Sequence, residues 1–196
     1  MEAPKINFMV CESEAPNTVG PLGLEVGQTW RMYSGDLVTI TRYSKSEDRF
    51  YLGFAETVGV PFRASVDPSG RTKLQSCRDY DLKERVQRIY IAGPMTGHAD
   101  LNFPAFHAAA AAYRKKGAFV INPAEINSAE VQTAMSAKLT PEQYHAHWVR
   151  CTKKDINALM TCDGIVMLPG WQKSRGAKLE HHIARNLGLT ITYREV

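Results

Sequence analysis

The chain has 196 residues, 44% of them hydrophobic and 22% charged, with a formal net charge of +4. That balance belongs to a water-soluble globular protein with room for one ordinary domain, or for a small domain joined to a medium one. No apolar run approaches the roughly 18 residues of a membrane-spanning helix, and no dense basic patch carries interleaved aromatics, so neither a membrane nor a nucleic acid is an expected partner. The charge is uneven. Residues 1–85 hold 11 Lys+Arg against 12 Asp+Glu, whereas residues 86–196 hold 13 against 8. Taken alone, the C-terminal excess reads first as a solvated surface with a few spare lysines, and second as suited to a phosphate-bearing ligand.

Residues 1–26 are punctuated by Pro4, Pro16 and Pro21 and show no periodicity, so they are expected to be weakly structured. Glu2, Glu12 and Glu14 without an apolar core argue against a signal peptide. From Gly27 to about Leu82 short strands are predicted: Trp30 to Met32 and Leu37 to Tyr43 flank a Ser34-Gly35-Asp36 turn. Phe50, Leu52 and Phe54 alternate, as do Phe62, Ala64 and Val66, and Asp67-Pro68-Ser69-Gly70 is a turn signal. A small β-barrel-like domain over residues 27–85 follows, closed by Asp79-Tyr80-Asp81-Leu82 and a short charged linker.

Residues 86–196 read as an α/β domain. Arg88 to Ala92 is an apolar strand that stops at Gly93-Pro94-Met95-Thr96-Gly97. An alanine-rich helix from Pro104 to Lys116 ends at Gly117, and Ala118 to Ile121 is a second strand broken by Asn122-Pro123. Thr140-Pro141 opens a long helix to about Thr161, with Thr140 as cap. Gly164 to Leu168 is the third strand, Ser174 caps a helix to about Leu187, and Thr190 to Tyr193 is the fourth strand. Alternating strands and helices predict a Rossmann-like parallel sheet with helices on both faces, where ligands bind beyond the carboxyl ends of the strands. Met160 and Met167 are expected in the core, and Ala108 to Ala112 against the sheet.

Two loops then gain weight. Gly93–Gly97 can bring backbone N–H groups close to an anion, though it is neither a Walker loop nor GxGxxG, and a plain structural turn explains it as well. Ser174 at a helix start, with Gly176 and the charges of Lys173, Arg175 and Lys178, suits phosphate. Glu180 has Gly176, Ala177, Ile183 and Ala184 as its helical neighbours, a costly setting for a carboxylate unless it is paired or used. Asp155 lies on the stripe Tyr144, Trp148, Cys151, Asp155, Leu159. Two carboxylates on core-directed stripes form a candidate acid and nucleophile pair, as cleavage of an N-glycosidic bond requires. A lone Glu at such a position is otherwise a salt-bridge partner. His145, His147, His181 and His182 lack the i, i+4 spacing of a helical metal site, and Cys11, Cys77, Cys151 and Cys162 lack CxxC spacing. No metal site is therefore expected, the glycosidase chemistry calls for no other cofactor, and the thiols indicate a reducing, cytoplasmic compartment.

From Arg88 to Tyr193 the chain resembles the nucleoside 2-deoxyribosyltransferase superfamily, in a branch of short proteins common in phages. The resemblance rests on IYIAGPMTG at 89–97, NFPAF at 102–106, NPAE at 122–125, KKDINAL at 153–159, CDGIVMLPGW at 162–171 and SRGAKLE at 174–180. It implies Glu180 as the nucleophile, Asp155 beside base and sugar, and Tyr90 orienting Glu180. It also implies a phosphate turn at Ser174 and Gly176, which favours a nucleoside 5′-monophosphate and its N-glycosidase over free nucleosides. The hydrolases carry a serine after the loop glycine where this chain has Pro94, and Lys178 replaces a glycine. No counterpart is found for the transferases' C-terminal asparagine, so hydrolysis is expected ahead of base exchange. A homo-oligomer, in the host cytoplasm if phage-encoded, is implied too. The rival expectation is a non-catalytic protein that sequesters a nucleotide signal. Residues 27–82 resemble a small β-domain of other phage proteins, through GQTWRMYSGDLVTI and SCRDYDL.

Overall fold

The structure is a computed structural model that describes residues 22–54, 64–72, 81–127 and 139–195. It divides into two compact units, Met1–Lys83 and Glu84–Val196. In the first, strands β1 (Thr29–Met32), β2 (Leu37–Ser44), β3 (Arg49–Phe54) and β4 (Ala64–Val66) pair antiparallel in chain order. β5 (Leu82–Val86) adds to β1, giving the order β4-β3-β2-β1-β5. Alternate residues point inward, so Trp30, Val38, Ile40, Phe50, Leu52 and Val66 share one core with Leu24 and Leu82. The Asp67–Gly70 turn is closed by the Asp67 carboxylate, which accepts from the Ser69 N–H at 2.9 Å and the Arg71 N–H at 3.1 Å. Those donors, with the Ser69 hydroxyl, hold the Asp67 pKa below its ordinary value against the opposing effect of burial, which is the largest single contribution.

The stretch expected to be a charged linker is a strand. Leu82 and Val86 are buried while Lys83, Glu84 and Arg85 face solvent. Charged side chains are what an edge strand carries to deter further pairing, and their polarity hides the strand from a hydrophobicity reading. Phe62, Asp79, Tyr80, Cys11, Cys77 and the expected weakly structured segment up to residue 21 lie outside the described residues.

In the second unit β6 (Arg88–Ala92), β7 (Phe119–Ile121), β8 (Gly164–Met167) and β9 (Thr190–Tyr193) form a parallel sheet of order β7-β6-β8-β9. The helices are α1 (Phe103–Lys115), α2 (Pro123–Ile126), α3 (Pro141–Leu159) and α4 (Arg175–Asn186). Period-two alternation divides the sheet. Ile89, Ile91, Val166 and Leu168 pack with Phe106, Ala109 and Ala110 of α1. Tyr90, Ala92, Ile165 and Met167 pack instead with Leu159 of α3 and Ala177 and Ala184 of α4. Each fully buried Ile or Met contributes about 1.5–3 kcal/mol, enough together to carry one buried carboxyl on the same face.

Local signals fix the helix ends. Thr140 and Gln143 make a reciprocal capping box across Pro141, the first helical residue of α3, and the Asn122 side chain caps α2 by accepting from the Ala124 N–H at 3.0 Å. Gly117, at φ +88°, follows α1 where a side chain would be strained. Met160, expected in the core, is 56% exposed because it follows the last turn of α3, past the residues that meet the sheet. Tyr144 is half exposed as well, so α3 sinks into the body only from about Trp148 onward. No helix among the described residues is long and apolar enough to cross a membrane. The chain winds from β6 to β7 on one side and through β8 to β9 on the other, so the carboxyl ends of β6 and β8 flank the crevice that open parallel sheets use for ligands.

Candidate active site

On the α3/α4 side of the sheet, Tyr90 comes from the middle of β6 and Glu180 from the second turn of α4. The Tyr90 hydroxyl donates to Glu180 Oε1 at 2.7 Å in a fully buried contact. Glu180 is only 8% exposed and Tyr90 is fully covered. Burial pushes the Glu180 pKa up to about 8, the hydroxyl of Tyr90 opposes that rise, and the charge of Asp155 adds to it. Burial, then the Glu180 and Asp155 charges, push the Tyr90 phenol far above its ordinary range, so Tyr90 stays a neutral donor. A carboxyl that protonates near neutrality beside a fixed donor is the kind of group acid–base and nucleophilic chemistry uses.

Asp155 enters from the buried end of α3 and is half-buried. Asn127, the residue after α2, donates from Nδ2 to Asp155 Oδ1 at 2.8 Å. Three strands thus feed one cluster: β6 through Tyr90 itself, β7 through Asn127 beyond α2, and β8 through the loop that leads into α4. Asn127 was not legible beforehand. One polar residue just after Asn-Pro-Ala-Glu-Ile reads as a loop residue, and only the fold brings it to α3.

The loops after β6 and β8 meet at Pro94, whose ring lies 3.6 Å from where a Cβ on Gly170 would stand. Gly93 has a packing reason, since a Cβ there would lie 2.8 Å from Leu168 Cβ. Met95 packs with the α1 cluster, on the face of the sheet opposite Tyr90. Thr96 and Gly97 are exposed, with Gly97 at φ +84°. Beyond them the turn Ala99–Asn102 holds Asp100, Leu101 and Asn102 at left-handed φ of 48°, 51° and 61°, pinned by Asn102 Nδ2 donating to Pro94 O at 2.9 Å.

Ser174 is the cap of α4, and its Oγ accepts from the Ala177 N–H at 3.3 Å. The first intrahelical bond runs from the Lys178 N–H to Ser174 O, so the N–H groups of Arg175 and Gly176 precede the helical ladder. A Cβ on Gly176 would meet nothing closer than Ser174 Oγ at 4.0 Å, so packing does not demand a glycine there. Lys178 lies two residues before Glu180, roughly 200° around the helix, and is exposed. Arg175 lays its guanidinium 4.2 Å from the ring centre of Trp148, two turns before Asp155 on α3.

The histidines have other partners. His181 stacks on Trp171 at 4.3 Å and its Nε2 shares a 2.9 Å hydrogen bond with Tyr193 Oη, while His145 stacks on Trp148. Burial pushes the Cys162 thiol up to about 12, which leaves it unreactive. Among the described residues no group of three or more His, Cys, Asp or Glu converges as a metal site would. Residues 87–193, from just before β6 to the end of β9, match a family model described as a domain of unknown function (DUF4406). No curated protein matches the chain.

Proposed function

Through residues 87–193 the chain belongs to the DUF4406 family of unknown function, and we propose that this family's α/β unit acts here as a nucleotide N-glycosidase on a nucleoside 5′-monophosphate. The reading takes the unit as Rossmann-like and akin to the nucleoside 2-deoxyribosyltransferases. The observation that carries it is the buried hydrogen bond from Tyr90 to Glu180 with Asp155 close enough to raise the Glu180 pKa. In the ionised form Glu180 attacks C1′, the C1′–N bond breaks, and its electron pair leaves with the base. Asp155 assists the departing base, and water then hydrolyses the glycosyl ester to release sugar phosphate and regenerate the carboxylate. The start of α4, with Ser174 and the N–H groups of Arg175 and Gly176, is the natural seat for phosphate, with Gly93 to Gly97 nearby.

The test is release of free base from a panel of nucleoside monophosphates. Glu180→Ala should abolish it, and kcat/KM should rise with pH through an apparent pKa near 8 as Glu180 ionises. Base release that survives Glu180→Ala overturns the assignment. A second reading, a protein that holds a nucleotide without turnover, is favoured by the same pKa. A carboxyl largely protonated at pH 7 is a hydrogen-bond donor more than a nucleophile. Recovery of intact nucleotide after long incubation identifies that case.

A further inference from the structure

Asn127 is 4% exposed, and its two amide ends have different fates. Nδ2 is committed to Asp155 Oδ1 at 2.8 Å. Oδ1 is buried and has no hydrogen-bond partner. Because a carboxylate only accepts, the amide cannot be turned round without facing one acceptor with another, so the orientation is fixed by chemistry. A buried carbonyl left unpaired is costly, and native proteins leave few of them without a reason. Nδ2 and Oδ1 of one amide stand about 2.2 Å apart by covalent geometry, so the spare acceptor lies within about 5 Å of the Asp155 oxygen. Two acceptors that close together match one amino group, whose two hydrogens can each take one.

We propose that Asn127 is a specificity-determining residue, whose Oδ1 together with Asp155 receives the exocyclic amino group of the bound base. The site then takes adenine, guanine or cytosine nucleotides ahead of their oxo counterparts. This rests on the nucleotide reading above. An oxo base sets a third acceptor against these two and leaves Oδ1 unpaired.

The experiment uses the full chain and amino/oxo pairs of one ring skeleton: dAMP against dIMP, dGMP against dXMP, and dCMP against dUMP. Each is measured by calorimetric binding and by base release. For the best pair the amino member should be favoured about ten-fold or more. Asn127→Leu, which removes both amide ends, should bring that ratio near one. Asn127→Asp keeps an acceptor at Oδ1 but loses the donor to Asp155, so it should retain a preference while base release falls. Circular dichroism and the unfolding midpoint establish that each variant is folded, and Asn127→Ser replaces Asn127→Leu if the latter is not. Equal handling of amino and oxo members by the parent protein, or a ratio unmoved in the folded variants, overturns the role of Asn127 and leaves the nucleotide reading standing. Failure of every nucleotide to bind overturns both.

Discussion

Burial sets the Glu180 pKa at about 8, against an ordinary value of 4.5, so the folded chain binds a proton that the unfolded chain has released between those values. The sign follows from linkage: stability is fully present below pH 4.5, falls as pH rises, and levels off above pH 8. A shift of that size corresponds to a loss on the order of a few kcal/mol. Glu180→Gln keeps an acceptor for Tyr90 and cannot ionise. Denaturant unfolding should therefore find it close to the parent protein at pH 4.5 and more stable by a few kcal/mol at pH 8. A difference that does not change with pH would show that Glu180 ionises normally in the folded state. A pH-dependent difference would instead show a buried carboxyl that costs stability when it ionises, the usual exchange where a site is kept for function. Of this cluster, the stripe positions of Glu180 and Asp155 are readable from helical spacing. Their meeting with Tyr90 is not, since residues 90 positions apart are joined only by the sheet. Asn127 carries no periodic signal at all.

At the scale of elements, α4 is built from its cap. Ser174 closes the Ala177 N–H and leaves its own O–H available to donate, while Gly176 keeps the first turn bare. Ser174→Ala should lower stability by about 1 kcal/mol and weaken binding of inorganic phosphate, and Gly176→Ala should weaken phosphate binding with little change in stability, because its Cβ meets open space. Equal phosphate affinity in both variants, followed by NMR shifts of the α4 amides, would move the anion site elsewhere. Helices with strong end signals were the most legible elements: Thr140-Pro141 and Ser174 mark α3 and α4 at their observed starts. Strands buried on both faces showed as apolar runs. β5 did not, because an edge strand with Lys83, Glu84 and Arg85 outward looks like a linker. The left-handed turn at Asp100–Asn102 and the single-turn α2 were equally silent, being set by contacts such as Asn102 to Pro94 O and not by a repeating pattern.

For the whole molecule the informative fact is how much of the candidate site one unit holds. Residues 84–196 contain all four parallel strands, both layers of packed helices, and Tyr90, Asn127, Asp155, Ser174 and Glu180. Each face of the sheet has its own buried cluster, which is what independent folding requires. A fragment beginning at Glu84 also keeps the ion pair of Arg85 Nη2 with Asp163 Oδ1 at 3.0 Å, while the other Asp163 oxygen accepts from the Arg88 N–H at 2.7 Å. The Arg85 pair is solvent-accessible and contributes at most about 1 kcal/mol, so a fragment beginning at Gln87 should lose little more. Both fragments are expected to unfold in one cooperative transition in urea and to bind the same nucleotides as the full chain. Their excess of positive charge should make that binding weaken with added salt, since exposed charges are screened over about 10 Å at 0.1 M. A fragment that folds but no longer binds would make residues 1–83 part of the binding function. A fragment that loses its cooperative transition would make those residues part of the fold instead, a separation that circular dichroism and calorimetry on the same sample can make.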